Sequence, residues 1–369
     1  MKEIGIYIHI PFCIKKCAYC DFISFSDKNE LIEKYIEALK KEISETLANK
    51  NLLAKTIYIG GGTPSSIDSK HIEEILNCVK NNIAIDKSAE ITIEINPGRV
   101  DREKLKSYFY MGINRISIGL QETSNEILKL IGRIHTYEDF LNTYNDAKKV
   151  GFNNINIDLM FALPNQNLEN IKKSLEKIIK LKPNHISTYS LILEEGTKLY
   201  ENRKELILPD EETERNMYWY IKNTLESNGY KHYEISNFSL EGCESKHNLD
   251  CWNQKEYIGL GLSAHSYLNG IRYSNTNNIN QYISENKKII HENQTKEEMQ
   301  KEFMLLGLRK IVGIHISEFK NKFGENPIYL YRKELNKLVE ENLIEIEGDI
   351  IKLTNKGLDL ANIVWEEFI

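Results

Sequence analysis

Short apolar runs and longer amphipathic stretches alternate along the first part of the chain. The apolar runs are typical of buried strands and predict strands at about residues 4–10, 56–59, 90–95, 115–119, 154–160 and 185–193. The stretches between them have apolar residues at helical spacing and predict helices at about residues 31–47, 69–81, 101–111, 124–131, 137–149, 168–181 and 211–228. Serial strand–helix units with right-handed crossovers build a parallel sheet. Six units, rather than eight, predict a partial (β/α)6 barrel of the TIM type.

The pattern changes near residue 275. Residues 275–293 are polar and rich in Asn, which predicts a linker. Beyond it, we expect helices at about residues 298–312, 316–323, 328–342 and 354–365, and a hairpin with strands at 343–346 and 350–353. Helices with a two-stranded wing resemble a winged helix. The sequence therefore predicts an α/β protein with two domains, a barrel at residues 1–275 and a winged-helix-like packing or lid domain at 276–369.

Composition narrows the class of protein. Hydrophobic residues make up 41% and charged residues 28%, as in ordinary globular proteins. The net charge is -6 with both signs well mixed, so we expect no nucleic-acid partner. No apolar run is long enough for a transmembrane segment, and the first predicted strand leaves no room for a targeting segment. These features predict a cytoplasmic protein.

Three of the six cysteines, Cys13, Cys17 and Cys20, follow the first predicted strand with the spacing C-x3-C-x2-C. A loop at a strand end can turn three thiolates toward one point, and thiolates suit soft metal centres. A [4Fe-4S] cluster held by three cysteines leaves one iron free for a ligand that is not protein. A zinc site with His9 as the fourth ligand is the alternative. A disulfide framework is disfavoured because a chain of this length has only six cysteines and no signal peptide.

Polar residues recur where the predicted strands end, and β/α barrels place their sites at this edge. The glycines at 60–62, before Thr63 and Pro64, let the backbone approach a ligand closely, although alone they indicate only a tight turn. Four further polar residues stand on or after successive strands: Glu94, Gln121, Arg133 and Asp158. Each is compatible with an ion pair or a capped turn. Together, beside the cysteines, they favour a cofactor cleft.

Five motifs resemble the HemN/HemW family of radical S-adenosylmethionine proteins. They are Tyr7-Ile8-His9-Ile10-Pro11-Phe12-Cys13, Gly60-Gly61-Gly62-Thr63-Pro64, Gly119-Leu120-Gln121, Asp158-Leu159-Met160 with Leu163-Pro164, and Tyr233-Glu234-Ile235-Ser236-Asn237-Phe238. The resemblance runs from residue 4 to the C-terminus. It implies that Cys13, Cys17 and Cys20 bind a [4Fe-4S] cluster. It also implies an S-adenosylmethionine pocket formed by Tyr7, Tyr19, Gly61, Gly62, Thr63, Glu94, Gln121, Arg133 and Asp158.

Two branches of this family differ in sequence. Coproporphyrinogen III dehydrogenases carry C-x3-C-x2-C-x-C, whereas this chain has Phe22 at the last position, as the haem chaperones of the HemW branch do. That branch also carries an H-N-x-x-Y-W motif implicated in haem binding. Here the motif reads His247-Asn248-Leu249-Asp250-Cys251-Trp252, so Cys251 replaces the tyrosine. The resemblance implies haem bound by His247. Cys251 is a possible soft ligand four residues away, and His265, which follows a glycine-rich turn, is a second candidate.

The expected function is that of a haem chaperone which binds the cluster, S-adenosylmethionine and haem, and transfers haem to an acceptor haemoprotein. An electron donor such as flavodoxin or ferredoxin is an expected further partner. The alternative is an oxygen-independent coproporphyrinogen III dehydrogenase, an activity that Phe22 argues against. A radical enzyme with an unrelated substrate is a third interpretation, because fold does not fix function.

Overall fold

The computed structural model describes residues 1–285 and 288–369, and its N-terminal half consists of six strand–helix units. The units contain the strands β1 (Lys2–Ile10), β2 (Leu52–Gly61), β3 (Ala84–Ile95), β4 (Arg115–Gln121), β5 (Ile155–Phe161) and β6 (His185–Ser190). The helices between these strands are α1 (Ile32–Leu47), α2 (Ser69–Asn82), α3 (Arg102–Tyr110), α4 (Asn125–Leu130), α5 (Tyr137–Val150) and α6 (Leu168–Leu181). Helices α4 and α5 both follow β4, and the long helix after β6 spans residues 211–227. Each strand pairs in parallel with the next, from β1 to β6. All six strands therefore end at one edge, and the predicted partial barrel is confirmed.

The two faces of the barrel strands have different compositions. In β1 the isoleucines at 4, 6, 8 and 10 are buried in the main core, which also contains Leu39 of α1 and Ile75 of α2. The intervening residues include Tyr7 and His9. Because successive side chains of a strand point to opposite faces, the apolar set packs on the helices and the polar set faces the barrel interior.

The sheet continues on both sides of the six parallel strands. The additional elements are α7 (Lys198–Glu201), α8 (Glu211–Ser227), β7 (Lys231–Glu234), β8 (Asn237–Ser239), α9 (Lys246–Trp252), β9 (Tyr257–Leu260), β10 (His265–Leu268), β11 (Ile271–Asn275), α10 (Ile279–Glu285) and β12 (Lys288–Asn293). In the described part of the chain the strand order is β12-β11-β10-β9-β1-β2-β3-β4-β5-β6-β8-β7. The segments after the barrel thus cover both of its edges.

The expected linker over residues 275–293 is wrong for the residues that the structure describes. They form the end of β11, helix α10 and edge strand β12, while residues 286–287 lie outside the described residues. Tyr282 of α10 is fully buried and packs on Tyr35 of α1, with ring centroids 5.1 Å apart. The polar composition obscured these elements because a one-sided helix and an edge strand need few apolar residues. The division of the chain at 275/276 stays a prediction.

A second, smaller core forms at the C-terminus. Its elements are α11 (Lys296–Gly307), β13 (Ile314–His315), α12 (Ile316–Phe323), α13 (Pro327–Leu330), α14 (Arg332–Glu340), β14 (Ile344–Glu347), β15 (Ile350–Leu353), α15 (Asn355–Asp359) and α16 (Ala361–Glu366). Strands β13, β15 and β14 form an antiparallel sheet, which confirms the winged-helix-like arrangement. Two predicted helices are each split, at Tyr331 and Leu360, where the backbone leaves the helical region. Across the described residues, every helix is too short or too polar to traverse a bilayer.

The small core is attached to the barrel through the segment around Arg309. The Ile235 N–H donates to the Arg309 carbonyl (3.1 Å) and the Ile311 N–H donates to the Tyr233 carbonyl (3.1 Å). The Arg309 guanidinium lies over two indole rings, 4.4 Å from the centroid of Trp252 in α9 and 4.9 Å from that of Trp365 in α16. Such cation–π contacts stabilise by about 0.5–2 kcal/mol each. Helix α9 is therefore bound to the C-terminal part.

Glu42 of α1 joins the barrel to β11 and α10. Its carboxylate is buried and accepts hydrogen bonds from the Tyr282 hydroxyl (2.6 Å), the Asn275 side-chain amide (2.7 Å) and the Gly261 N–H (2.9 Å). Burial raises the pKa of this carboxyl, and the three donors oppose the shift. The three hydrogen bonds hold the segment after residue 260 against α1, because all three donors belong to that segment.

We expect Glu42→Ala to lower the free energy of unfolding by about 3 kcal/mol, because it leaves buried donors without an acceptor. Glu45→Ala is the matched control. Glu45 lies on the same helix but is exposed, and its ion pair with Lys41 is long (3.8 Å), so a change below about 0.5 kcal/mol is expected. Urea unfolding measures both. Equal effects would contradict a special role for Glu42.

Candidate functional site

The three cysteines lie in a loop that is closed at both ends by backbone hydrogen bonds. The Cys13 N–H donates to the Phe25 carbonyl (2.8 Å), and the Phe25 N–H donates to the Pro11 carbonyl (2.7 Å). Further along, the Ala18 N–H donates to the Ile131 carbonyl (3.0 Å). Cys13, Cys17 and Cys20 are free thiols, and all three line one cavity of about 370 Å³, which we call the cysteine cavity.

The glycine-rich end of β2 supports the cysteine loop. The Gly62 N–H donates to the Ile10 carbonyl (2.9 Å), and the Thr63 N–H donates to the Phe12 carbonyl (2.9 Å). A Cβ at Gly62 would lie 2.9 Å from the Phe12 carbonyl oxygen and 3.0 Å from Cys13 Sγ. Only glycine therefore permits this close approach of the backbone to the thiol.

Arg133 connects the cysteine loop to the barrel strands. Its guanidinium donates to the Asn96 side-chain oxygen (2.6 Å), to the Gly119 carbonyl and to Cys17 Sγ (3.5 Å). Among the described residues, nothing pairs with the buried Nε of Arg133. A buried cation with one unused donor fits an anionic group in the cavity, such as the carboxylate of an amino-acid moiety.

Two buried carboxyls, on β3 and β5, line the same cavity. Glu94 accepts from the Tyr58 hydroxyl (2.8 Å) and the Gly61 N–H (3.2 Å), and burial raises its pKa to about 7, with the nearby Asp158 charge adding to the shift. Asp158 accepts from Asn156 and Ser117, and burial also raises its pKa. A cavity lined by one cation and two carboxyls fits a zwitterion with ribose hydroxyls.

Eleven of the residues predicted from the sequence line the cysteine cavity: Cys13, Cys17, Tyr19, Cys20, Gly61, Gly62, Thr63, Glu94, Gln121, Arg133 and Asp158. The prediction missed other lining residues, including Tyr58, Asn96, Ser117, Met160 and Tyr189. The strand alternation could have indicated two of them. Tyr58 is two residues before Gly60, and Ser117 is two before Gly119, so each points to the same face as a residue of a motif noted in the sequence.

A second cavity of about 620 Å³, the histidine cavity, lies beside the first. Its lining includes Tyr7, His9, Cys251, Trp252, Tyr257, His247, Asn248 and His265. Phe22, Tyr58 and Glu94 line both cavities. Tyr7 therefore stands where the sequence-based interpretation did not place it. Its ring stacks on Tyr58 (centroids 6.2 Å apart), and among the lining residues Tyr7 belongs only to the histidine cavity.

Both candidate haem ligands of the predicted motif, His247 and Cys251, line the histidine cavity. His247 and Cys251 are four residues apart on α9, which puts their side chains on one face of the helix. Burial lowers the pKa of His247 to about 4, so its imidazole is neutral at physiological pH. Burial raises the pKa of the Cys251 thiol to about 12, so this thiol keeps its proton.

His9 does not have a free nitrogen for a metal ion. Its Nδ1 lies 3.0 Å from the Tyr7 hydroxyl and its Nε2 lies 3.0 Å from the Ile23 carbonyl. Within residues 1–285 and 288–369, no three side chains of His, Cys, Asp or Glu converge as the ligands of one ion would. The zinc alternative with His9 as fourth ligand therefore has no support in this geometry, whereas three thiols around a cavity suit a cluster.

A glycine-supported loop with three thiols at the C-terminal edge of a partial barrel defines a radical S-adenosylmethionine protein. A sequence profile described as "Radical SAM superfamily" matches residues 7–178, and one described as "HemN C-terminal domain" matches residues 294–360. The structure of Escherichia coli coproporphyrinogen III oxidase (HemN) superposes with a TM-score of 0.87 at 21% identity, covering 100% of this chain and 90% of that one. At this identity the likeness shows the fold alone.

Proteins with similar sequences show to which branch of this class the chain belongs. The proteins named "Heme chaperone HemW" from Lactococcus lactis and Bacillus subtilis are 40% and 36% identical to this chain, covering 100% and 98% of it and 98% of each relative. The HemW of Escherichia coli is 38% identical over 72% of this chain and 70% of that protein. The chain belongs to the HemW family of radical S-adenosylmethionine proteins. Its cofactors are accordingly a [4Fe-4S] cluster and S-adenosylmethionine, and the cysteine cavity has the donors that fit both.

We expect Cys13→Ala, Cys17→Ala and Cys20→Ala each to abolish stable iron and sulfide incorporation, because each removes one of three thiolate ligands. Cys243→Ala is the matched control, since this half-buried thiol lies outside both cavities. Iron and sulfide are measured after anaerobic reconstitution. Full iron content in any of the three variants, or stoichiometric zinc in the wild type, would contradict the cluster assignment.

The pKa of Glu94 predicts how S-adenosylmethionine binding depends on pH. A bound ammonium group stabilises the carboxylate and lowers its pKa below the value of about 7 found without ligand. Affinity should therefore rise by roughly fivefold between pH 6 and 7.5, as Glu94 ionises in the free protein. Anaerobic calorimetry on cluster-loaded protein measures this slope. Glu94→Gln should flatten it, and an unchanged slope in that variant would exclude Glu94 as its origin.

Proposed function

We propose that this chain binds haem in the histidine cavity and passes it to an acceptor haemoprotein. The observation that carries the proposal is the histidine cavity itself: a buried, neutral His247 lines it together with Trp252, next to the cavity that contains the cluster ligands. The full-length similarity to proteins named heme chaperones supports it. The volume of about 620 Å³ lies within the usual range for cofactor sites.

The roles of the lining residues follow from their chemistry. Haem has an iron that takes an axial ligand and a flat apolar face. The neutral imidazole of His247 supplies the ligand, and the Trp252 indole supplies a surface for stacking. Cys251 replaces a motif tyrosine, but its protonated thiol is a weak ligand at neutral pH, so His247 is the stronger candidate.

Haem is the cargo in this proposal, and the cysteine cavity holds the resident cofactors. Cys13, Cys17 and Cys20 would hold the cluster, which in its reduced form would supply an electron for cleavage of the sulfonium bond of S-adenosylmethionine. Arg133, Glu94 and Asp158 would orient the cofactor's carboxylate, ammonium and ribose in the cavity. A small electron carrier such as flavodoxin or ferredoxin is a further proposed partner. We also propose a cytoplasmic location, since all six cysteines are free thiols, as a reducing compartment maintains them.

We expect His247→Ala to weaken haem binding by roughly 10- to 100-fold and to shift the Soret band, because the axial nitrogen is lost. His315→Ala is the control, since this half-buried histidine lies in the C-terminal part on β13. Cys251→Ala should leave the affinity close to that of the wild type. A Soret titration measures all of these. Loss of binding in Cys251→Ala with retention in His247→Ala would reverse the ligand assignment.

The coproporphyrinogen III dehydrogenase alternative is tested with the same preparations. The reconstituted wild type should not decarboxylate coproporphyrinogen III, since Phe22 stands where the dehydrogenases have a further cysteine. Turnover without haem retention would move the chain to the enzyme branch.

A further inference from the structure

The side chain of His247 is hydrogen-bonded to a strand of the barrel rather than to a residue of its own segment. It lies in the first turn of α9 and is 7% exposed. Its Nδ1 is 2.9 Å from Oγ1 of Thr56, a buried residue of β2. No described residue forms a hydrogen bond with the other ring nitrogen, Nε2. The ring therefore has one nitrogen engaged by the barrel and one available at the wall of the histidine cavity.

Glu90 of β3 fixes the turn of helix that carries His247. Its buried carboxylate accepts from the backbone N–H of Lys246 (3.0 Å) and from that of His247 (3.1 Å). These N–H groups have no partner within the helix, so a carboxylate at this end stabilises it. Glu90 and Thr56 are register partners on neighbouring parallel strands, so one layer of the barrel holds both the ring and the backbone of His247.

Two neighbours restrict the ring further. The Tyr58 ring packs against the imidazole with centroids 5.3 Å apart. Gly5 of β1 leaves the space that the pair needs, since a Cβ there would lie 3.1 Å from Thr56 Oγ1 and 3.7 Å from His247 Cε1. Three adjacent strands thus leave the imidazole little freedom to turn.

We propose that Thr56 and Glu90 are the positioning residues of the haem site: Thr56 engages Nδ1 so that Nε2 is the iron ligand, and Glu90 fixes the backbone that presents it. The inference rests on the proposed function. Metal-ligating histidines are commonly oriented by a partner on their second nitrogen, and loss of that partner typically reduces metal affinity roughly 10- to 100-fold. Here a hydroxyl on a barrel strand is that partner.

The test is a haem titration of Thr56→Val, which keeps the shape of the side chain and removes only the hydroxyl. We expect a roughly 10- to 100-fold weaker affinity, together with a changed Soret maximum and ferric spin state. Thr56→Ser restores a hydroxyl and should return both the affinity and the spectrum to near wild type. A role limited to folding would lower the thermal midpoint of haem-free protein without changing the spectrum of the bound form.

Thr92→Val is the matched control. Thr92 is a buried threonine of β3 whose hydroxyl has no partner among the described residues and which lines neither cavity. We expect the Thr92→Val variant to bind haem with the wild-type affinity. Glu90→Gln, which retains one acceptor oxygen, should weaken binding less than Thr56→Val, and wild-type affinity in this variant would remove Glu90 from the proposal.

The outcomes separate this inference from the function on which it rests. If the wild type binds haem and His247→Ala binds it roughly 10- to 100-fold more weakly, but Thr56→Val binds with the wild-type affinity and spectrum, the positioning role is overturned and the haem site stands. If the wild type itself retains no haem, the proposed function fails and this inference with it.

Discussion

The polar interior of the barrel is the constraint on which the rest of the structure depends. Strands β1 to β6 direct isoleucine and leucine side chains toward the helices, which places polar side chains on the opposite face. Buried polar groups need partners. His185 meets this need with Asn156 (2.6 Å) and Tyr233 (2.7 Å), and Glu90 meets it with the first turn of α9. Segments outside the six units are therefore required to complete the barrel.

The same constraint explains why the two cavities adjoin. Toward the C-terminal edge the inward side chains Tyr58 and Glu94 pair with each other, and this pair forms part of the wall between the cavities. The cysteine loop continues directly into the lining of the histidine cavity. Cys20 lines the cysteine cavity, while Asp21 and Ile23 line the histidine cavity. The cluster ligands and the candidate haem ligand thus lie on either side of a wall that includes Tyr58 and Glu94.

The sequence predicted the barrel well because its signals are local. The isoleucine alternation, the cysteine spacing and the glycine run each lie within about ten residues. Tyr7 lines the histidine cavity, a position that depends on its contact with Tyr58 of the neighbouring strand, and its role in binding S-adenosylmethionine stays a prediction. The expected linker concealed α10 and β12, whose burial depends on Tyr35 and Glu42 of a distant helix. The engagement of His247 by Thr56 spans 191 positions, and no periodicity reports such a pair.

The Arg309 contact has a mechanical consequence. Its guanidinium lies over Trp252, the last residue of α9, and over Trp365 of α16, so α9 is held at one end by the barrel through Glu90 and at the other by the C-terminal part. A short helix that is held at both ends couples the positions of its two attachment points. A force applied to α16, as by a protein that binds there, would be transmitted along α9 to His247. The position of the small core is therefore coupled mechanically to the position of His247.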